Sequence, residues 1–332
     1  MSRVFVTGAA GFLGGHVARR LIEEGHEVLA LARRPPAPTG RDALDAVRWI
    51  SGDLTQASTW TPSLRGCEAV FHVAALVAFH PVAEAEAVAA NVEGTRLLLE
   101  AAEAAGVRRF VHCSTVAALG LPPGRNDASD ETAAYNWKER GLENLYSRTK
   151  RAADDLVEST VRQGRLDAVI LYPGTMVGPQ DPKPSSGRLL VEAARGRLVL
   201  VPAGRNTFCD VRSVAEGFTL AWRHGRTGEG YILSGPNLTY REFFGRVCRL
   251  AGVREPLGPL PRPVAMAGGF FGDMMSSITK RDFGVGLATV RVAWANHAYS
   301  SAKAERELGW KSTDLDRAIL DGLADFKARG LI

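Results

Sequence analysis

A short apolar run that leads directly into closely spaced glycines constrains the fold of this chain most. Residues 4–8 read VFVTG, GAAGFLG occupies 8–14, and the helix-like segment LGGHVARRLIEE at 13–24 ends before Gly25. Glycines at such a turn let the backbone approach a pyrophosphate, and the N-terminus of the following helix supplies free amide donors and partial positive charge. The segment therefore predicts a strand, a dinucleotide-binding turn and a helix.

Apolar runs and helix-like segments alternate along the first half of the chain. Val-rich runs without polar alternation suit strands that are covered on both faces, as in a parallel sheet. Helix-like segments at 82–105 and 143–162 lie between such runs. The alternation predicts an α/β fold with a Rossmann-type doubly wound parallel sheet. The apolar runs are VFVTG at 4–8, EVLALA at 27–32, AVFHVAAL at 69–76, RFVHCST at 109–115 and AVILYP at 168–173.

The character of the sequence changes after about residue 172. Loop-like stretches rich in Pro and Gly occupy 173–188 and 256–264, and between them FCDVRSVAEGFTLAW at 208–222 resembles a strand that leads into a helix. We therefore expect a smaller C-terminal substrate domain that is interleaved with the first unit. The expected division is a dinucleotide-binding unit of residues 1–171 plus about 206–230, and a substrate-binding unit of about 172–205 plus 231–332.

Composition and charge exclude several classes of protein. The 332 residues are 45% hydrophobic and 23% charged, which excludes a disordered, collagen-like or coiled-coil chain. The net charge of +5 comes without a basic run, so we expect no nucleic-acid partner. The four cysteines lack disulfide and metal-ligand spacing, which predicts reduced thiols, no metal site and a cytoplasmic location. The apolar stretch 263–278 is interrupted by Asp273 and glycines, so we expect no membrane span.

The residues after the second predicted strand bear on which nicotinamide cofactor is bound. An acidic residue at this point accepts hydrogen bonds from the ribose hydroxyls and selects NAD. Here Ala32 is followed by Arg33 and Arg34. Arginine suits a 2′-phosphate by its charge and by the fork geometry of its guanidinium. We therefore expect a preference for NADP(H), with NAD(H) as the alternative if the two arginines are only loop surface.

Tyr146 and Lys150 are the candidates for proton transfer. They stand four residues apart and hence on the same face of a helix. A tyrosine with a pKa of about 10 is a poor proton-transfer group at neutral pH until its phenolate is stabilised, and a neighbouring ammonium lowers its pKa. A hydroxyl is also needed to hold the substrate carbonyl oxygen beside the tyrosine. Two hydroxyls, Ser114 and Thr115, follow a predicted strand at the ligand-binding edge of the sheet.

Together these motifs resemble the extended short-chain dehydrogenase/reductase family, which includes the NAD-dependent epimerase/dehydratases. The resemblance extends over nearly the whole chain. Within the family, the chain is most similar to dihydroflavonol-4-reductase-like and hopanoid-associated sugar-epimerase-like proteins, with the 3β-hydroxysteroid dehydrogenase-like branch as a near neighbour. The stretches that carry this finer match are GPQDPKPSSGR at 178–188, DVRSVAEG at 210–217, YILSGPNLT at 231–239 and SSAKAERELGW at 300–310.

The resemblance implies which residues contact the cofactor. The turn at 7–14 matches the family's nucleotide turn, Asp53-Leu54 its adenine-contacting pair, and His72 to Ala75 its segment beside the pyrophosphate. After the sixth strand, Tyr172-Pro173-Gly174 stands where many relatives have an Arg-Pro pair. The expected cofactor contacts are Thr7, Gly8, Gly11, Phe12, Leu13, Gly14, Arg33, Asp53, Leu54, Ala74, Ala75, Thr115, Tyr146, Lys150, Pro173 and Gly174.

The resemblance also implies the catalytic residues and their roles. Tyr146 and Lys150 match the family's catalytic pair, and its hydroxyl position falls on Thr115, with Ser114 as the alternative. Tyr146 is expected to donate or accept the proton, and Thr115 to orient the reacting oxygen. Lys150 is expected to hold the nicotinamide ribose and to lower the Tyr146 pKa. The family often dimerises through the helices that match 82–105 and 143–163, so we expect a homodimer.

Three functions remain open from the sequence. The leading hypothesis is NADP(H)-dependent reduction of a ketone or aldehyde, or oxidation of the alcohol, of a fairly apolar small molecule. A nucleotide-sugar epimerase/dehydratase would use the same residues with tightly bound NAD. It would also need cationic side chains to bind the diphosphate of its substrate, and Lys183, Arg188 and Arg205 are candidates for these. A non-catalytic nucleotide-binding sensor would not need the Tyr146/Lys150 pair. The apolar hypothesis rests on the side chains expected to wall the pocket, which are Phe79, Leu119, Trp137, Phe208, Phe270 and Phe271.

Overall fold

The computed structural model describes residues 1–40, 42–182, 187–281, 283 and 286–332, with only the backbone described for 187–189. Its strands pair into a large sheet and two smaller ones. In chain order, the strands are β1 (Arg3–Thr7), β2 (Glu27–Ala32), β3 (Arg48–Ser51), β4 (Ala69–His72), β5 (Arg109–Cys113), β6 (Ala168–Pro173), β7 (Thr175–Val177), β8 (Leu200–Val201), β9 (Arg205–Asp210), β10 (Gly230–Leu233), β11 (Asn237–Thr239), β12 (Gly258–Pro259) and β13 (Asn296–His297).

The large sheet has seven parallel strands in the order β10-β6-β5-β4-β1-β2-β3. The chain winds outward from β1 in one direction through β2 and β3, and in the other through β4, β5 and β6. This arrangement confirms the doubly wound Rossmann-type fold predicted from the sequence. All six residues of β6 are buried, which explains why the strands appear in the sequence as continuous apolar runs.

Helices cover both faces of the large sheet. Val4 and Val6 of β1 belong to the core on one face of the sheet, under the helices at 12–23 and 211–224. Phe5 between them belongs to the core on the other face, under the helices at 94–104 and 145–162. In the described part of the chain, no helix has the length and apolarity needed to cross a membrane. The helices are α1 (Phe12–Glu23), α2 (Glu84–Val88), α3 (Gly94–Ala104), α4 (Leu145–Arg162), α5 (Gly187–Ala194), α6 (Val211–His224), α7 (Tyr240–Ala251), α8 (Arg262–Thr279), α9 (Leu287–Ala293), α10 (Ala302–Leu308) and α11 (Leu315–Ala328).

The chain crosses between the sheets after β6. Strands β7 and β9 pair in the small sheet, which has the order β11-β9-β13, and α6 then packs against α1 before β10 completes the large sheet. The expected division into two units at about 172, 206 and 231 stays a prediction. The strand pairing differs from this division at two edges. Strand β9 at 205–210 falls almost wholly in the expected dinucleotide-binding unit but pairs in the small sheet. Strand β10 at 230–233 falls almost wholly in the expected substrate-binding unit but pairs in the large sheet.

Several side chains that were expected to wall a substrate pocket have other positions. Phe208 is buried and stacks on Phe243, with ring centroids 3.8 Å apart in the core beside the small sheet. Trp137 is also buried, and its Nε1–H donates a 2.8 Å hydrogen bond to the carbonyl of buried Leu119. Phe208, Trp137 and Leu119 therefore pack in the interior of the protein. The sequence alone does not show whether an apolar residue in a loop packs in a core or lines a pocket. Phe270 and Phe271 lie on α8, where each is 58% exposed.

Candidate active site

A cleft of about 1200 Å³ lies along the carboxyl ends of the large-sheet strands. It is lined by the segments that follow each of the strands β1 to β5, by the end of β6, by three residues between 86 and 90, and by two residues of α4. Ligands bind at this edge of doubly wound sheets, where the strand order reverses. The structure brings all the predicted contact and catalytic residues together in this cleft, namely Thr7, Gly8, Gly11, Phe12, Leu13, Gly14, Arg33, Asp53, Leu54, Ala74, Ala75, Thr115, Tyr146, Lys150, Pro173 and Gly174.

The turn between β1 and α1 is packed so closely that two of its positions must be glycine. Gly8 has a φ of 78°, and a Cβ there would lie 2.7 Å from the amide nitrogen of Ala74. A Cβ on Gly14 would lie 2.1 Å from the carbonyl oxygen of Gly8. The N-terminus of α1 has neither a side-chain cap nor an acidic residue in its first turn. Its uncapped amide donors therefore fit a pyrophosphate, which is the group that a dinucleotide places at this turn.

Charged side chains lie at the end of the cleft that β2 and β3 form. Arg33 and Arg34 directly follow β2, and both are exposed at the cleft. The Oδ1 of Asp53 accepts hydrogen bonds from the amide and the hydroxyl of Thr55, at 2.9 and 2.7 Å. These bonds, with a smaller contribution from the charge of Arg33, lower the pKa of Asp53. The described residues at the end of β2 thus present two cations and no carboxylate.

A chain of hydrogen bonds holds the loop after β4 against β1. The amide of Ala74 donates to the Thr7 hydroxyl at 3.2 Å, and that hydroxyl lies 2.8 Å from Nδ1 of His72. The Nε2 of His72 lies 2.9 Å from the Thr95 hydroxyl, which donates to the carbonyl of Asn91 at 2.7 Å. Burial lowers the pKa of His72 well below its usual range, so the ring is neutral. With Thr95 donating to Asn91, Nε2 is the nitrogen that carries the proton.

Asn91 connects this loop to the helix that carries Tyr146. It lies in a π-helical stretch, Ala89–Glu93, inside the segment that the sequence predicted as one continuous helix. Its side chain accepts a 2.7 Å hydrogen bond from the amide of Leu76 and donates to the carbonyl of the same residue. It also donates to the hydroxyl of Thr149 at 3.1 Å. The wider π-helical turn therefore places Asn91 where it positions α4 next to Lys150.

Tyr146 and Lys150 lie on one face of α4 and reach the cleft beside the end of β5. The Lys150 ammonium is buried and donates a 2.6 Å hydrogen bond to the carbonyl of Cys113. Tyr146 is partly buried, and its ring meets that of Phe79 edge-on, with ring centroids 6.0 Å apart. The side chain of Thr115 is close enough to the Tyr146 hydroxyl to lower its pKa. The geometry therefore joins a phenol, a second hydroxyl and an ammonium at one end of the cleft.

The pKa of Tyr146 differs from the sequence-based expectation. We expected Lys150 to lower it, but burial dominates and raises the pKa of Tyr146 above its ordinary value of 10. The neighbouring Thr115 side chain acts in the opposite direction and lowers the pKa. The reason is that the Lys150 ammonium is turned to the carbonyl of Cys113, and its own pKa is lowered by burial. In the protein alone, Tyr146 is therefore a protonated acid at neutral pH.

The two candidate hydroxyls at the end of β5 point to different partners. The Ser114 hydroxyl donates a 2.7 Å hydrogen bond to Oδ2 of Asp154. The other oxygen of Asp154 lies 3.2 Å from Nε2 of His112, and all three residues are buried. Burial raises the pKa of Asp154 to about 7. Thr115, by contrast, is the hydroxyl beside Tyr146.

Sequence reasoning did not single out Asp154 or His112. A signal was available for Asp154, because it stands four residues after Lys150 and so continues the helix face of Tyr146 and Lys150. His112 lies within β5, where a buried histidine gives no signal of its own. The catalytic and binding roles of the predicted residues remain predictions that rest on this geometry.

Comparison with known proteins agrees with the fold and the cleft. The family model for the NAD-dependent epimerase/dehydratase family matches residues 4–234. The chain is 30% identical over 336 residues to a putative dihydroflavonol 4-reductase of Synechocystis sp., covering 99% of this chain and 95% of that protein. It is 32% identical over 331 residues to sterol demethylase protein B of Methylococcus capsulatus, covering 98% and 99%.

A solved structure matches the whole fold. The crystal structure of gox2253 has a TM-score of 0.86 and 33% sequence identity to this chain, and the match covers 100% of both chains. The strand order, the glycine turn and the positions of Tyr146 and Lys150 had already indicated the same kind of protein. The chain belongs to the NAD-dependent epimerase/dehydratase family, within the extended short-chain dehydrogenases/reductases, and is an NAD(P)-dependent oxidoreductase.

Proposed function

We propose that this protein uses NADP(H) to reduce a ketone or aldehyde of a fairly apolar small molecule, or to oxidise the corresponding alcohol. The observation that carries the proposal is the position of Tyr146, with the Thr115 hydroxyl beside it, in the same cleft as the Gly8 turn. A protein that only binds a nucleotide has no need of a phenol, a hydroxyl and an ammonium at one end of its cleft.

The proposed mechanism assigns one task to each of these side chains. The bound nicotinamide cofactor supplies or accepts the hydride. The Thr115 hydroxyl donates a hydrogen bond to the carbonyl oxygen of the substrate and so holds it next to Tyr146. Tyr146 donates its proton to that oxygen as the oxygen gains negative charge, and its raised pKa keeps the proton in place until then. The Lys150 ammonium, one helical turn from Tyr146, would bind the hydroxyls of the nicotinamide ribose and so hold the cofactor in place.

The preference for NADP(H) rests on Arg33 and Arg34. Both guanidinium groups are exposed at the β2 end of the cleft, where a ribose 2′-phosphate is bound in dinucleotide-binding folds. Asp53, the nearby carboxylate, already accepts two hydrogen bonds from Thr55. We infer that the arginines bind the phosphate, while Asp53 holds the loop after β3 in shape.

An apolar substrate is supported by two observations. Phe79 lies edge-on against the ring of Tyr146, and Leu76, Val77 and Met176 line the cleft. Two relatives are named for compounds with fused carbon-rich rings, a dihydroflavonol and a sterol. We infer that the substrate places its carbonyl against Tyr146 and its apolar part against these side chains.

A nucleotide-sugar epimerase/dehydratase is the second candidate, because the matching family model includes such enzymes. Such an enzyme needs cationic side chains to bind the diphosphate of its substrate, and the three candidates from the sequence give this function little support. Arg205 donates a hydrogen bond to the carbonyl of Asn237. Lys183 and the side chain of Arg188 lie outside the described residues.

We further propose a cytoplasmic homodimer. The four cysteines are free thiols, and three of them are buried, which is consistent with a reducing compartment. Val82 and Val88 are exposed on the segment that the family resemblance assigns to the dimer interface. Size-exclusion chromatography with light scattering tests the dimer directly, because a monomeric mass at micromolar concentration would contradict it.

One experiment distinguishes the two enzyme classes. The purified protein is mixed with NADPH and a panel of apolar ketones and aldehydes, and the absorbance of NADPH is followed. We expect oxidation of NADPH with at least one carbonyl compound, and its loss in Tyr146→Phe. In parallel, the protein is denatured and the released nucleotide is measured. Stoichiometric NAD(H) carried through purification, together with no oxidation of NADPH by any compound, would assign the protein to the epimerases instead.

A further inference from the structure

Helix α8 exposes six large apolar side chains, whereas the residues that it buries are small. The sequence 262–279 folds into one continuous helix despite its glycines. Ala265, Gly269 and Ser276 are buried on the side that packs against the protein. With 3.6 residues per turn, the large residues fall on the opposite side, where they are 41–68% exposed. This apolar face consists of Val264, Phe270, Phe271, Met274, Met275 and Ile278.

The orientation of α8 is set by its contacts with the start of α9. Gly269 approaches Gly286 so closely that a Cβ on Gly269 would lie 3.0 Å from the Gly286 backbone. Asp273 accepts a 3.0 Å hydrogen bond from the amide of Leu287 through Oδ2. The single acidic residue of the helix is thus bonded on its inner side. A rotation of α8 that buried the apolar face would break both of these contacts. The contacts therefore keep the apolar face of α8 exposed.

Basic residues stand at both ends of the apolar face. Arg262 is the first residue of α8, and Lys280 and Arg281 directly follow its last turn. All three side chains are exposed. A helix with Phe and other apolar residues on one side and basic residues at its boundary is typical of segments that lie in the plane of a lipid interface.

We propose that α8 docks this protein on the surface of an anionic lipid bilayer. The apolar face would enter the boundary between headgroups and acyl chains, and Arg262, Lys280 and Arg281 would pair with lipid phosphates. A second copy of the chain is a poorer occupant. Because both ends of the face are basic, a parallel or an antiparallel pairing of two α8 helices would bring like charges together.

The test is sedimentation of the purified protein with vesicles, in the absence of substrate and cofactor. One set of vesicles contains phosphatidylcholine alone, and the other contains phosphatidylcholine with phosphatidylglycerol. We expect binding to the anionic vesicles that weakens with salt. Phe271→Asp should abolish it, and the change of Lys280 or Arg281 to Ala should weaken it about fivefold each. Leu320→Asp is the matched control, because Leu320 is an exposed apolar residue on α11 and should leave binding unchanged.

Two results would overturn the proposal. One is sedimentation of Phe271→Asp with anionic vesicles to the same extent as the wild-type protein, or no sedimentation of either. The other is a larger assembly of the wild-type protein in solution that Phe271→Asp dissociates, since that would assign the face to a second copy. Thermal unfolding of each variant shows that it is folded. The inference is independent of the proposed activity, because no part of the test involves turnover.

Discussion

The hydroxyl of Ser114 donates a 2.7 Å hydrogen bond to the carboxylate of Asp154, a residue of the same helix as Tyr146. This bond joins the end of β5 to α4 beneath the cleft. It also uses the one proton that the Ser114 hydroxyl can donate. The next residue, Thr115, is therefore the hydroxyl available to a substrate beside Tyr146.

The first prediction compares these two neighbouring hydroxyls. Thr115→Ala should lower kcat by about 100-fold, because it removes a hydrogen bond to the charge that develops on the reacting oxygen. Ser114→Ala should lower kcat less and should lower thermal stability, since it leaves the buried Asp154 carboxylate without its partner. Steady-state kinetics and thermal unfolding of both variants measure this. A larger loss of kcat in Ser114→Ala than in Thr115→Ala would contradict the assignment.

The second prediction concerns the pH dependence of stability. Burial raises the pKa of Asp154 from 3.8 to about 7, so the folded protein holds this proton more tightly than the unfolded chain. The stabilising contribution is present at acid pH and is lost as the pH rises from 3.8 towards 7. Relative to Asp154→Asn, the wild-type free energy of unfolding should therefore decrease across this range and then level off. A difference between the two proteins that is constant or grows with pH would contradict the raised pKa.

The third prediction concerns the cofactor. Arg33→Ala should weaken the binding of NADPH by about tenfold, which corresponds to one lost charge-assisted hydrogen bond, and should leave NADH binding nearly unchanged. Arg34→Ala shows whether the second guanidinium contributes as well. Fluorescence titration with each nucleotide measures both. Equal losses of NADPH and NADH affinity in Arg33→Ala would show that the residue does not read the 2′-phosphate.

The fourth prediction concerns the glycine turn. Gly14→Ala should abolish cofactor binding, because its Cβ would lie 2.1 Å from the carbonyl oxygen of Gly8 and α1 would have to move away from the turn. Gly268→Ala is the matched control, since that position has open space around it. Binding of NADPH by Gly14→Ala at wild-type strength would show that the turn tolerates a wider geometry than the structure has.

Much of the fold follows from local sequence patterns. The bounds of β2 and β6 coincide with the apolar runs 27–32 and 168–173, because strands buried on both faces leave a continuous signal. The glycine turn is equally local, since a pyrophosphate site needs glycines between a strand and a helix. The spacing of Tyr146 and Lys150 places both on one helix face without any tertiary information.

The rest depends on contacts between distant segments. The choice between Ser114 and Thr115 is decided by Asp154, which is 40 residues away from Ser114 in the sequence. The raised pKa of Tyr146 results from burial and from the turn of the Lys150 ammonium towards Cys113, which spacing cannot reveal. The positions of the aromatic residues could not be predicted for the same reason. An aromatic residue that packs in a core looks no different in the sequence from one that lines a pocket.

The assignment of Tyr146 as the proton donor is tested most directly by measuring turnover and NADPH binding together in Tyr146→Phe. We expect kcat to fall by about 10²–10⁴-fold, which is the contribution of a positioned acid, while the Kd for NADPH stays within about twofold. Tyr231→Phe is the control, because Tyr231 lies on β10 and its hydroxyl contacts Glu307 away from the cleft. Turnover in Tyr146→Phe close to that of the wild-type protein would contradict the assignment of Tyr146 as the proton donor.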